Sequence, residues 1–299
     1  MRGTPILVTG ATGTIGREVV KHLLKRGRHV RVLTRDAAKG AHLGEVEVVV
    51  GEPGRAETLE SAFANVQSAF VLSSNQGGPD AAWESNAFQA AMRAGVDHIV
   101  KLSGRGVDSY NVRSFIGRQQ AQSEAELRAL GIQWTILRPG FFASNFLNDF
   151  PIVRLGMLGL PAGAGKDAPV DPRDVGAAAA EVLTTPGHDG KTYELTGPEL
   201  LSYGEMAAEI SIAVGQPLNY VDVPPADFRS GLIGFGAPEP IADALVQLFT
   251  AVKEGRVTTS PDFARLMGRE PLRFAEWVKD HAAAFKAQLP AAAQEDQRG

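Results

Sequence analysis

Three glycines spaced Gly10-x-x-Gly13-x-x-Gly16 follow the apolar run Ile6-Leu7-Val8, and an amphipathic helix through Ile15, Val19, Val20, Leu23 and Leu24 comes after them. Strand, glycine turn and helix in this order build a dinucleotide site. Gly10 allows the tight turn out of the strand, Gly13 lets the backbone approach a pyrophosphate, and Gly16 lets the helix pack close to the sheet. The helix start, with Thr12, Thr14 and Ile15 around it, offers free N–H groups and a favourable dipole to phosphates. A second feature bears on which dinucleotide. A NAD site usually carries an acidic residue at the end of the second strand, to bind the ribose hydroxyls. Here Thr34 takes that place and Arg35 follows. A guanidinium can hold a 2′-phosphate through paired charge-assisted hydrogen bonds, which points to NADP(H). Asp36 either swings back toward the ribose or caps the short segment Ala37-Ala38-Lys39, and the cap is the simpler use.

Ligands of open α/β sheets bind beyond the carboxyl ends of the strands. That selects Ser73, Ser74 and Asn75 after the fourth strand, Ser103-Gly104-Arg105-Gly106 after the fifth, and Pro139-Gly140-Phe141-Phe142 after the sixth. Ser73 and Ser74 are small enough to let a cofactor pass over the sheet edge, or are ordinary polar strand ends. Ser103 could polarise a carbonyl or serve as a structural hydroxyl. Phe141, Phe142 and Phe146 could wall a nicotinamide pocket or fill the core. The chain contains no cysteine, so disulfides, thiolate zinc sites and a cysteine nucleophile are excluded. Its histidines form no pair at helical ligand spacing, which points away from a metal site.

The elements that must position these residues are legible as alternating strands and helices. Val30-Leu33, Val46-Val50, Ala69-Leu72, His98-Leu102 and Trp134-Leu137 continue the series of strands begun by Ile6-Val8. Helices are expected at Thr58–Phe63, Ala81–Ala94 (stopped by Gly95) and Ser123–Leu130 (stopped by Gly131). Continuously apolar strands alternating with helices imply an α/β fold, a doubly wound parallel sheet of Rossmann type. The pattern breaks after Arg138-Pro139-Gly140. Asp174 reads as the cap of a helix Val175–Leu183 whose alanines suggest close packing, and Thr192-Leu195 as a late strand returning to the sheet. From Ser202 the pattern is mostly helical, with breaks at Pro217, Pro224-Pro225 and Pro238. The expected organisation is therefore a dinucleotide-binding domain over 1–150, with 170–198 returning to it. A smaller, mostly helical substrate region covers 151–169 and 199–288, and a frayed tail covers 289–299. Gly231–Ile241 is either a flap or a connector. Ala242–Val252 is amphipathic and expected to pack on the core.

Bulk properties narrow the class. With 299 residues, 44% hydrophobic and 21% charged, the chain has ordinary globular composition and enough length for one large domain. A net charge of −4 without a basic block argues against a nucleic-acid surface. The start Met1-Arg2-Gly3-Thr4-Pro5 leads straight into a strand, so no signal peptide is expected, and no apolar run is long enough to cross a membrane. A cytoplasmic protein, monomer or homodimer, acting on a small molecule is the resulting expectation.

The sequence resembles the NmrA-like branch of the atypical short-chain dehydrogenases. The matching pieces are Val8-Thr9-Gly10-Ala11-Thr12-Gly13-x-x-Gly16, Leu33-Thr34-Arg35, Lys101-Leu102-Ser103 and Leu137-Arg138-Pro139-Gly140-Phe141-Phe142-x-x-Asn145-Phe146. Val170-Asp171-x-x-Asp174-Val175 and the run Gly187 to Gly197 match as well, so the likeness extends from about residue 4 to about residue 285. The resemblance implies a Rossmann fold, NADP(H), and reductases of quinones or triphenylmethane dyes, or else regulators that bind cofactor without turning it over. It also places Asn145 at a position that lines the substrate side in quinone reductases, where it could bond an acceptor oxygen, though a turn or helix-cap role is as natural. One departure matters. Short-chain dehydrogenases use a Tyr-x-x-x-Lys pair, in which lysine lowers the tyrosine pKa for proton exchange. No tyrosine here has lysine four residues on; Tyr110 is nearest the expected region, and Ser114 stands where the lysine would be. Gln119-Gln120-Ala121-Gln122-Ser123-Glu124, expected to open the next helix, carries no His or Lys. Tyr110 is then a donor of ordinary pKa or a surface-loop residue.

An acceptor whose own π-system takes the charge needs no strong acid, so a quinone-like or polycyclic aromatic substrate is the leading expectation. The alternatives are a non-catalytic NADP(H) sensor and another enzyme on the same scaffold, such as an isomerase, cyclase or imine reductase.

Overall fold

Strands that are apolar without alternation must be covered on both faces, and the chain meets that demand with a parallel sheet between helices. The structure, a computed structural model, describes residues 3–52, 54–72, 83–148 and 156–289. In chain order come β1 (Ile6–Val8), α1 (Thr14–Lys25), β2 (Val30–Thr34), α2 (Ala37–Ala41), β3 (Glu47–Val50) and α3 (Glu60–Phe63). They are followed by β4 (Ser68–Val71), α4 (Trp83–Ala94), β5 (His98–Leu102), α5 (Phe115–Ala129), β6 (Gln133–Pro139) and α6 (Asn145–Asn148). Next are β7 (Met157–Leu160), β8 (Lys166–Asp167), α7 (Pro172–Thr184) and β9 (Lys191–Leu195).

The main sheet has the order β3-β2-β1-β4-β5-β6-β9, and every neighbouring pair in it is parallel. This is the doubly wound arrangement expected. The order reverses direction between β1 and β4, and the crevice beyond their carboxyl ends is where such sheets bind ligands. One face is covered by α1 and α7, whose Ile15, Val19, Val20, Leu23, Val175 and Val182 pack on Val8, Val32, Val100 and Leu137. The two helices approach closely because Gly176 faces Glu18 and Val19: a Cβ on Gly176 would stand 2.5 Å from that of Glu18. The alanines Ala177 to Ala180 are all buried, as their close-packed reading requires. The other face carries α3, α4 and α5, with Phe63, Phe88 and Leu127 against Leu7, Leu33, Ile99 and Ile136.

Two helix starts differ from expectation. α5 begins at Phe115, two turns before Ser123, because Ser114 caps it by accepting from the Gly117 N–H at 2.8 Å. Gln119–Glu124 is therefore mid-helix. α7 is capped by Asp171, not Asp174: the Asp171 carboxylate accepts from the Arg173 N–H at 2.8 Å, with Pro172 in the first turn. Asp174 sits inside that turn and accepts instead from the Leu272 N–H and from Arg269.

The remaining chain forms β10 (Leu201–Ser202), α8 (Tyr203–Val214), β11 (Asn219–Asp222), α9 (Pro225–Gly234), α10 (Glu239–Lys253), α11 (Asp262–Met267), α12 (Phe274–Asp280) and α13 (Ala282–Gln288). It is mostly helical, as read, but it also contains strands that the sequence pattern hid. β11 pairs in parallel with β7, and β10 pairs antiparallel with β8. These pairs and the helices share a separate core built on Phe146, Leu158, Tyr203, Phe249, Phe274 and Trp277. Gly231–Ile241 ends α9 and begins α10. Phe249 of α10 is buried in that core, with Leu245 and Leu248 against it, so the amphipathic face packs inward. The tail from residue 290 lies outside the described residues. Among the described residues no helix is long and apolar enough to cross a membrane.

Candidate active site

The glycine turn leaves the carboxyl end of β1 beside that of β4. Thr9 fixes the junction: its hydroxyl donates to the Leu72 carbonyl at 3.1 Å and accepts from the Leu72 N–H at 2.8 Å. Gly10 has φ +60°, the left-handed region that glycine adopts without strain. Gly16 is required for a different reason. A Cβ there would overlap the Gly10 carbonyl oxygen and stand 2.7 Å from the Ala11 Cα. The close approach that Gly16 permits is thus to the turn itself. Gly13 has more room: a Cβ added to it would meet only the Gly10 oxygen within 4 Å, at 3.3 Å. Gly13 is the N-cap residue of α1, and no side chain caps that helix, whereas Ser114 and Asp171 cap α5 and α7. Gly13 and Thr14 are exposed, Thr12 is half-buried, and Ile15 is buried under the helix. The start of α1 is therefore left without a side-chain cap, which suits it to receive an anion.

At the end of β2, Thr34 is buried and Arg35 is exposed. The Asp36 carboxylate accepts from the Ala38 and Lys39 N–H groups at 3.0 and 3.2 Å, so it is the cap of α2. The Arg35 guanidinium lies 5.9 Å from the centre of the Trp83 ring, a cation–π contact with the start of α4. Ser73, Ser74 and Asn75 lie outside the described residues.

The carboxyl end of β5 is more heavily engaged than its sequence suggests. Ser103 donates its hydroxyl proton to Glu124 of α5 at 2.5 Å. Arg138 of β6 clamps the same carboxylate with two bonds, at 2.9 and 2.7 Å, and reaches Asp108 at 2.7 Å. Burial pushes Glu124 up, but hydrogen bonds from Arg138 and Ser103 outweigh it and hold the carboxyl below the usual range. Glu124 is thus a carboxylate at neutral pH, and Ser103 has no proton left with which to polarise a carbonyl. Beneath it, Lys101 is fully buried and pairs with Glu84 of α4 at 2.9 Å and with Gln120 of α5 at 2.6 Å. Arg105 ties the same loop to β9 through Glu194 at 2.9 Å and to the carbonyl and hydroxyl of Thr258.

Tyr110 is half-buried, its ring lying on Gly106, whose φ of +77° and missing side chain make room for it. Burial pushes its phenol up to about 12, so it is neither an ordinary-pKa donor nor a plain surface residue. Phe141 and Phe146 are buried and pack edge-on at 5.6 Å, with Tyr203 and Phe249 against Phe141. They fill the C-terminal core and do not wall a pocket. Phe142 turns the other way, half-buried against the sheet core and bridged to Val170. Pro139 ends β6, its carbonyl accepting from the Arg105 N–H at 2.9 Å. Asn145 opens α6 and is half-buried.

The sequence profile of the NmrA-like family matches residues 3–278. The chain belongs to this family. Among its relatives, a NAD(P)H azoreductase of Xenophilus azovorans is 37% identical, the match covering 94% of this chain and 99% of the relative. A (4-alkanoyl-5-oxo-2,5-dihydrofuran-3-yl)methyl phosphate reductase of Streptomyces griseus is 36% identical, covering 94% of this chain and 99% of the relative. The crystal structure of the NADPH-dependent quinone oxidoreductase of Escherichia coli complexed with NADPH superposes with a TM-score of 0.82 at 30% identity, over 92% of this chain and 99% of that one.

In this NmrA-like chain the structure brings Gly10, Thr12, Gly13, Thr14 and Ile15 together at one helix start. Ser103, Pro139 and Tyr110 gather along the neighbouring strand ends. Sequence reasoning named Arg105 only as part of the turn after β5, and it missed the roles of Thr9, Glu124 and Arg138. The signal was present for Glu124: once α5 starts at Phe115, Gln120, Glu124 and Leu127 are the buried positions on one helical face. Polar residues on an inward face call for partners from the sheet, and Lys101 and Arg138 are those partners.

Proposed function

We propose that the chain is an NADP(H)-dependent reductase that passes hydride to a quinone-like or polycyclic aromatic acceptor. The residues present fit the cofactor. The uncapped start of α1 offers N–H donors to a diphosphate, Gly13 leaves its approach open, and Arg35 stands at the end of β2 where a 2′-phosphate would lie. The bound nicotinamide would supply the hydride. The protein's part is then to hold the acceptor against it and keep water out.

The observation that carries the choice of acceptor is that, among the described residues, neither hydroxyl near these strand ends has an acidity tuned toward neutral pH. The Ser103 hydroxyl is committed as a donor to the Glu124 carboxylate, and burial pushes the Tyr110 phenol up to about 12. A simple ketone would need its developing alkoxide protonated as hydride arrives. A quinone, azo or cationic dye acceptor spreads that charge over its own π-system. With its proton committed, Ser103 Oγ can only accept, which suits a donor such as a carboxamide N–H. In this reading Asn145 faces the acceptor, while Pro139 and Phe142 border the nicotinamide end. The test is consumption of NADPH with a neutral naphthoquinone against consumption with a simple aliphatic ketone. Turnover of the ketone at a comparable rate would overturn the proposed choice of acceptor.

A further inference from the structure

Beyond the Ser103 turn, the segment 109–113 and helix α10 form the two sides of an open cleft of about 390 Å³. That is within the range of small-molecule sites. Tyr110 and Arg113 form one wall; Gln247 and Thr250 of α10, with Arg256 just past its end, form the other. No lining residue is acidic. The Arg113 guanidinium makes no hydrogen bond or ion pair among the described residues. Arg256 holds Glu254 through Nε at 2.8 Å, which leaves its terminal nitrogens without a partner among the described residues. The protein as a whole is acidic, at −4, so two guanidiniums in one cavity are not a by-product of general charge. Arg256 is paired with Glu254 through Nε alone, so both arginines still offer terminal N–H donors to an anion in the cleft. Guanidinium forks match a phosphate or sulfonate through paired hydrogen bonds. Tyr110 lines the cleft while its ring lies on Gly106 of the loop that carries Ser103, and its protonated phenol adds an O–H donor.

We propose that this cavity is the anion-binding end of the acceptor site, so that the preferred acceptors are aromatic or conjugated compounds bearing a phosphate or sulfonate. Arg113 and Arg256 hold that group, and the reducible part extends back past Tyr110 to the strand ends. The inference rests on the reductase reading for the identity of the ligand, but its test does not depend on turnover. Binding of naphthol and of naphthol sulfonate to the NADP-loaded protein is measured by calorimetry, for the native chain and for Arg113→Ala with Arg256→Ala. The native chain should bind the sulfonate about tenfold more tightly than naphthol, a gap that added salt narrows. In the double variant that preference should be lost while naphthol binding stays. Both arginines are exposed, so the variant is expected to fold, and circular dichroism checks that it does. Equal affinity for the two probes in the native chain, or a preference that survives in the folded double variant, would overturn the proposal. Turnover of a neutral naphthoquinone is followed alongside. Turnover without sulfonate preference overturns the anion site alone, whereas sulfonate preference without turnover supports the anion site and contradicts the reductase reading.

Discussion

Gly13 and Gly16 look alike in the sequence, but the structure makes different demands of them. Gly16→Ala forces a Cβ into the Gly10 carbonyl, and overpacking of that kind should cost about 3 kcal/mol, seen as a clear drop in Tm. Gly13 has φ −81° and only one near neighbour, so Gly13→Ala should leave Tm nearly unchanged. It should instead weaken NADPH binding about tenfold, because the added methyl stands on the face offered to the phosphates. A matching loss of Tm in both variants would contradict this division. In the proposed reading Arg35 carries the choice between cofactors. Arg35→Ala should weaken NADPH by about 2 kcal/mol, the value of a charge-assisted bond, and leave NADH almost unaffected. Equal weakening of both, measured by titration, would rule out the phosphate contact. The glycines were legible because the turn lies within one short segment, and the physical reason for Gly10 is local. The function of Asp36 as a cap was legible for the same reason.

Helix α5 sets the limits of such reading. Its inward face carries Gln120 and Glu124 where an apolar stripe would be expected, so periodicity alone started the helix two turns late. The polar face is compensated across the sheet by Lys101 and Arg138, residues outside the helix itself. Removing one partner of such a buried pair leaves the other uncompensated, so Glu124→Gln should cost about 3 kcal/mol at neutral pH. The folded pKa of Glu124 is depressed, hence its stabilisation is present above the ordinary carboxylate value and is lost as pH falls through the folded value. The stability gap between native chain and variant should therefore close in acid, below about pH 4. Denaturant titrations at several pH values check this, and a gap that persists unchanged in acid would contradict the network. The strands follow the same logic. β1, β2 and β4 to β6 are apolar runs buried on both faces and announce themselves. β7, β8, β10 and β11 are two to four residues long and partly exposed, and their pairings follow only from the packing of the C-terminal core.

At the scale of the molecule, a doubly wound sheet brings the glycine turn, the Ser103 loop and the end of β6 to one edge, and a second core built on Phe146, Tyr203, Phe249 and Trp277 closes over that side of the chain. The glycine turn of the candidate site, residues 10–16, is made of neighbours in sequence. The acceptor half is assembled from segments far apart, as Arg105 with Glu194 and Thr258, and Tyr110 with Gln247 and Arg256, show. That is why the turn can be read from the chain and the acceptor half emerges only on folding. With Tyr110 held near 12, the rate with a quinone should show no break from this phenol between pH 6 and 9, about where assays are run. A Tyr110-dependent break in that interval, absent in Tyr110→Phe, would return Tyr110 to the part of proton donor. The most direct test of the central claim is to mix the NADPH-loaded protein with a neutral naphthoquinone and follow the nicotinamide absorbance. Hydride transfer to such an acceptor predicts rapid loss of that absorbance, faster with NADPH than with NADH. Bound NADPH that persists in the presence of quinone, azo and triphenylmethane acceptors alike would contradict it.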